Sequence, residues 1–168
     1  MIDRAAAGLW EFSLAFYAQP GVEKALLSLQ DDRGADICFL LAMLWLDARH
    51  LALCAEGHAV LHRGILNWQQ RYTARFRNLR RRCKKLPAHS ATASSEPFYT
   101  VLKAVELQSE RVVLCWLEEA IGKLLKAGEL VDSSGDTGVS NCNVRKYMEE
   151  LGIDSGPIIA LQPELPGR

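Results

Sequence analysis

At 168 residues, with 20 basic and 20 acidic side chains, the chain has the length of one domain and enough bulk to bury roughly 70% of its unfolded surface. Its longest apolar run, Ile37–Leu46, falls well short of the ~20 residues a bilayer span needs, and five cysteines without a CxxC pair read as reduced, small hydrophobes. Asp3 beside Arg4, with no apolar segment behind them, argues against a signal peptide, so the expected location is the cytoplasm.

Taken in order, residues 5–18 have the pattern of an amphipathic helix with Leu9, Trp10, Phe12, Phe16 and Tyr17 as bulk. Gln19-Pro20-Gly21 ends it, and Pro20 suits the first turn of a second helix through about Asp32. Gly34 suits the left-handed residue after that helix, and Asp36 the N-cap of the next. The third helix, Ile37 to about His50, is apolar on nearly every face and is expected at the centre of the core. A loose stretch at residues 55–57 leads to a long helix over about 58–86, residues 87–96 read as a linker, and a second long helix covers about 97–127. Residues 132–140 read as a loop, Asn141–Leu151 as a short helix, and the proline-bearing tail as irregular.

No period-two strand pattern competes. The expected fold is all-α: a single-domain bundle (1–151) of about five or six helices, with a long antiparallel hairpin (58–86 and 97–127) and an irregular C-terminal tail (152–168).

The hairpin's first helix carries the sharpest charge asymmetry. Residues 57–95 hold nine of the 20 basic residues and no Asp or Glu, leaving 11 basic against 20 acidic elsewhere. At about 100° per residue, Trp68, Tyr72, Phe76, Leu79, Cys83 and Leu86 form one apolar seam. Arg71, Arg75 and Arg82 flank it on one side, Arg77, Arg80 and Lys84 on the other, with Arg81 and Lys85 behind. Such a sleeve is either a solvated, internally paired face or a site for an anionic partner. In the second hairpin helix, Phe98, Val101, Val105, Val112 and Trp116 make the main seam, with Glu106 and Glu110 off it. Antiparallel packing would bring Glu106 and Glu110 to Arg77, Arg80 or Lys84 as structural ion pairs, and leave Arg71, Arg75, Arg81, Arg82 and Lys85 as the partner-binding surface.

Other constellations are weaker. His50, Cys54, His58 and His62 are four apart, but Gly57 argues against one helix through them, and nothing completes a metal set. The neighbouring carboxylates Asp31/Asp32, Glu118/Glu119 and Glu149/Glu150 splay apart on a helix, and no nucleophile elbow or phosphate loop is present. No catalytic residue, cofactor or metal is called for. Trp45, Trp68 and Trp116 could line an apolar pocket between helices, although tryptophans at such spacing more often fill a core.

The runs Leu9-Trp10-Glu11-Phe12, Tyr17-Ala18-Gln19-Pro20-Gly21-Val22, Leu29-Gln30-Asp31, Gly34-Ala35-Asp36, Leu40-Leu41 and Leu44-Trp45-Leu46 resemble those of a small proteobacterial family of about this length, catalogued as a domain of unknown function. Trp68, Leu79-Arg80, Arg82, Ala104-Val105-Glu106-Leu107 and Glu110-Arg111 continue the likeness, which covers roughly residues 8–120. Cys38 departs from it, standing where the family pattern often has Asn. The resemblance implies a helical cytoplasmic bacterial protein and brings no activity, cofactor or catalytic residue.

Three functions remain. The leading one is a non-catalytic interaction protein that binds an acidic protein partner through the basic helix. The others are a small-molecule binder or enzyme with a Trp-lined pocket, and nucleic-acid binding through the same helix. Membrane partners are not expected, and the oligomeric state is left open.

Overall fold

The computed structural model describes residues 7–84, 96–132 and 142–160. Helices α1 (Leu9–Tyr17), α2 (Val22–Arg33), α3 (Ile37–Ala48) and α4 (Ala55–Trp68) are followed by a π-helical turn, Gln69–Thr73. Then come α5 (Ala74–Lys84), α6 (Glu96–Lys126), α7 (Cys142–Glu150) and α8 (Gly156–Ile159). With α4, the π turn and α5 counted as one continuous helix, the described residues hold seven helices rather than five or six. The fold is all-α. None of its described helices is long and apolar enough to cross a membrane.

α3 is the centre, as its all-round apolar sequence implies: every residue from Ile37 to Asp47 is buried. Asp36 caps it, Oδ1 accepting from the Phe39 backbone N–H at 3.1 Å, which satisfies one of the donors a helix start leaves free. Around α3 pack Leu9, Phe12 and Phe16 of α1, Val22 and Leu26 of α2, Leu61 and Ile65 of α4, Val113 to Ile121 of α6, and Val144, Tyr147 and Met148 of α7. Truncating a fully buried residue here, such as Leu44, removes about 2–5 kcal/mol.

Four details differ from the sequence expectation. α2 begins at Val22 after a left-handed Gly21 (φ 82°), so Pro20 lies outside it. α4 begins at Ala55, because the Cys54 thiol accepts from the Gly57 N–H at 3.3 Å and starts the helix earlier. A two-stranded antiparallel ribbon pairs β1 (Leu51–Leu53) with β2 (Leu130–Asp132); three-residue strands are too short to show a period. Within the expected irregular tail, Gly156–Ile159 makes one helical turn that seats Ile158 in the core.

The ribbon and α7 are joined by a polar node. Asn143 Oδ1 accepts from the Leu53 N–H at 2.9 Å, and Asn143 Nδ2 donates to Leu51 O at 2.7 Å and to Asp47 Oδ1 at 2.6 Å.

Candidate functional site

The hairpin of α5 on α6 carries the main candidate surface, and the π turn decides which residues it shows. In α4 the inward line is Leu61, Ile65 and Trp68, and a continuous α-helix would extend it to Tyr72, Phe76 and Leu79. One extra residue in the π turn advances the inward line by one place, about 100° round the axis. Thr73, Arg77 and Arg80 therefore face α6: Thr73 is fully buried, and the two arginine side chains are 16% and 20% exposed. Tyr72 and Leu79 are turned out to 44% and 45% exposure. Of the expected apolar seam, Tyr72 and Leu79 are thus turned out, Phe76 is partly covered and Cys83 stays buried, while Leu86 lies outside the described residues.

α6 explains the shift. Its C-terminal half is committed to the core through Val113, Leu114, Leu117 and Ile121, and the helical period then brings Ser109 and Glu106 inward on the same face. Buried polar groups need partners. The Ser109 hydroxyl lies 2.7 Å from the Thr73 hydroxyl and accepts from Trp68 Nε1 at 3.0 Å. Arg77 Nε donates to Glu106 at 3.0 Å and its Nη2 to Glu110 at 2.9 Å. Arg80 donates to Glu106 through both Nε and Nη2. Phe76 and Leu79 carry no donor, and the single Tyr72 hydroxyl could not replace two guanidinium groups.

The structure thus brings Arg77, Arg80, Glu106 and Glu110 together in one half-buried cluster. Burial works against the Arg77 charge, but Glu110 and Glu106 outweigh it and raise its pKa. Glu110 is also raised, burial outweighing Arg77. Arg80 is raised chiefly by its hydrogen bonds to Glu106.

The expected seam of α6 is corrected in the same way. Phe98, Val101, Val105 and Trp116 are exposed, Val101 to 57%, and only Val112 of that row is partly covered. The outward rows of the two helices adjoin: the Tyr72 ring lies 4.4 Å from the Trp68 ring, which meets Trp116 edge-on at 4.9 Å. The result is an apolar strip from Trp116 and Tyr72 past Val105 and Leu79 to Val101 and Phe98. Arg71, Arg75 and Arg82 are exposed on the α5 side of it, and no carboxylate among the described residues pairs with any of the three.

The remaining expected residues are scattered. Arg81 pairs with Asp31 of α2 and is not free; Lys85 lies outside the described residues. Trp68 and Trp116 fill space against each other, whereas Trp45 donates to the Ala7 carbonyl at 3.0 Å beneath the Arg49 guanidinium. None of the three tryptophans lines the cleft described below. His50 and Cys54 flank β1. His58 is buried, its Nδ1 3.3 Å from a Glu150 carboxylate oxygen but without hydrogen-bond geometry and its Nε2 without an acceptor among the described residues, and His62 stacks on Phe39 at 4.5 Å. Among the described residues no group of three His, Cys, Asp or Glu side chains is arranged to hold a metal.

A cleft of about 270 Å³ opens beside the hairpin. Its polar lining includes Asp36, Cys38, His62, Gln69, Arg77 and Tyr147, and its apolar walls include Ile37, Leu66 and Leu151. Asp36 Oδ1 accepts from Gln69 Nε2 at 2.8 Å as well as from Phe39, while the Asp36 N–H donates to the Tyr147 hydroxyl at 2.7 Å. The cleft has no signature in the sequence because its residues come from five helices, the turn before α3 and the π turn; Asp36 was legible only as a cap.

Residues 8–117 match the model of a family described as a protein of unknown function, DUF2390. The chain belongs to this family. No curated protein and no solved structure matches. The hairpin residues Trp68 to Trp116 lie inside the DUF2390 match, whereas Asn143, Tyr147 and Leu151 lie beyond it. The cleft therefore joins the family segment to α7 and the turn after it.

Proposed function

We propose that this protein is a non-catalytic adaptor of the bacterial cytoplasm that binds an acidic amphipathic helix of a protein partner along the α5–α6 hairpin. One observation carries the reading: the exposed strip Tyr72, Leu79, Val101, Val105 and Trp116 runs beside Arg71, Arg75 and Arg82, which no described carboxylate neutralises. An exposed contiguous apolar row of this kind marks an interaction surface, and an apolar helix face laid into it is a recurring recognition mode. The arginines select the sign of the partner. A second copy of the same face would set like charges against each other, so a different, acidic chain is the better occupant. The apolar row also favours protein over nucleic acid, whose phosphates would meet the arginines but leave the strip uncovered. Five free cysteines agree with a reducing compartment.

The test uses fluorescence anisotropy with a labelled helical peptide bearing leucines on one face and glutamates on its flanks, with a lysine-flanked peptide and duplex DNA as controls. Binding to the acidic peptide should weaken at least about tenfold in Arg75→Glu/Arg82→Glu and again in Leu79→Glu. If the charge reversal leaves peptide binding intact, or only DNA binding responds to it, the adaptor reading fails.

A further inference from the structure

The cleft beside the hairpin holds a carboxylate with no ion-pair partner among the described residues, although His62 and Arg77 both favour its charge. Asp36 has one carboxylate oxygen fixed by Phe39 and Gln69, and no Lys or Arg among the described residues forms an ion pair with it. The guanidinium on the same wall, Arg77, is already committed to Glu106 and Glu110. A half-buried carboxylate without a direct counter-ion is costly to keep ionised, and burial outweighs the Phe39 and Gln69 hydrogen bonds and the nearby His62 and Arg77 to raise the Asp36 pKa. The space next to it is not filled by protein: about 270 Å³ lies between Asp36, His62 and the apolar walls Ile37, Leu66 and Leu151.

The π turn adds a second, independent observation. Such turns are uncommon and concentrate at functional sites. This one, besides re-registering α5, delivers Gln69 to the Asp36 carboxylate and Gln70 to the cleft rim.

We propose that this cleft is a binding site for a small organic cation, an ammonium or guanidinium on a short alkyl chain. The cationic head pairs with the free side of the Asp36 carboxylate, supplying the counter-ion the protein lacks, and the alkyl part lies on Ile37, Leu66 and Leu151. His62, held flat against Phe39, borders the head group. The site is separate from the apolar strip of the hairpin and stands whether or not that strip binds a partner.

The probe is n-butylammonium, titrated against the full chain by two-dimensional amide NMR, with n-butanol and butyrate as the neutral and anionic counterparts. Saturable shifts confined to Asp36, His62, Gln69 and Tyr147 are expected for n-butylammonium, with n-butanol at least about tenfold weaker and butyrate silent. Asp36→Asn, which keeps a good N-cap, should weaken n-butylammonium about tenfold. Leu66→Trp, which fills the cleft and leaves Asp36 in place, should abolish binding even if the first variant folds poorly. The proposal is overturned if n-butanol binds as well as n-butylammonium, if neither variant changes binding, or if no saturation is reached by about 50 mM.

Discussion

Asp47, at the end of α3, caps the start of α7 through Asn143, 96 residues further along the chain. Its Oδ1 accepts from the Asn143 N–H at 3.1 Å and its Oδ2 from the Val144 N–H at 3.0 Å, while the Asn143 side chain clamps β1. A helix start whose cap comes from another helix has no local signature. It also means that α7, which supplies Tyr147 to the cleft, is held from within the family segment. Removing the carboxylate leaves the Asn143 and Val144 backbone N–H groups buried without this acceptor, while the Asn143 amide keeps Leu51 and Leu53, so Asp47→Ala should cost about 2–4 kcal/mol, and Asp47→Asn less. Urea unfolding measures this; a cost below about 0.5 kcal/mol would show that α7 is not held by the cap.

Two buried groups of opposite sign contribute to acid stability. His58 is held neutral by burial, with Lys146 and His62 adding to the effect, and its pKa falls from 6.5 to about 4. Between those values the unfolded chain binds more protons, so this contribution is fully present above 6.5 and is lost as pH falls toward 4. Asp47 is raised by burial from 3.8 to about 6, its N–H donors opposing. Its contribution is fully present below 3.8 and is lost as pH rises through 6. Each amounts to about 3 kcal/mol, and they nearly cancel between pH 4 and 6. Burial raises the Asp36 and Glu110 carboxyls as well, and both add to the Asp47 side. His58→Phe should therefore lose stability with rising pH more steeply than the wild-type chain, and Asp47→Asn less steeply. Equal slopes in all three proteins would contradict the assignment.

The Arg77–Arg80–Glu106–Glu110 cluster makes a different prediction. Glu106→Ala strands the Arg80 guanidinium and leaves Arg77 with Glu110 alone, and should destabilise by about 3–4 kcal/mol. Replacing Arg77, Arg80 and Glu106 together by leucine should recover most of that loss, because the cluster's desolvation cost disappears with its attraction. Guanidinium denaturation would screen ion pairs, so urea is the denaturant to use. A triple variant as unstable as Glu106→Ala would mean that the cluster is a net source of stability.

Deleting Gln70 removes the extra residue of the π turn and restores one α-helical phase through α4 and α5. The residues after the deletion should keep their places, with Arg77 and Arg80 still on Glu106 and Tyr72 and Leu79 still outward. The expected readout is unchanged solvent paramagnetic relaxation at the Leu79 methyls, together with retained acidic-peptide binding. If Leu79 becomes protected in the deletion variant, the π turn is not an absorbed insertion and does not set the hairpin's register.

Several features were legible in the sequence because they are local. Asp36 and Gly34 bracket the start of α3 through backbone chemistry that belongs to those residues, and an apolar run with no polar face announces a central helix wherever it is placed. The order of the helices and the antiparallel hairpin follow from the period and from the breaks at glycine and proline. The period of residues 61–86, however, continues in phase through Trp68, Tyr72 and Leu79, so nothing in it reveals the π turn.

What the sequence determined by itself is therefore the helical class, the central place of α3 and the surplus of arginine in one segment. Which arginines are spent inside and which face outward was decided only in the tertiary structure. α6 commits its Val113–Ile121 face to the core, Glu106 and Ser109 follow it inward by helical geometry, and buried polar groups must find donors. α5 meets that demand by shifting one residue, which buries Thr73, Arg77 and Arg80 and exposes the apolar row that a single-helix reading places inside. The cleft has the same origin: Asp36, His62, Gln69 and Tyr147 come from three helices and the π turn, and only packing makes them neighbours.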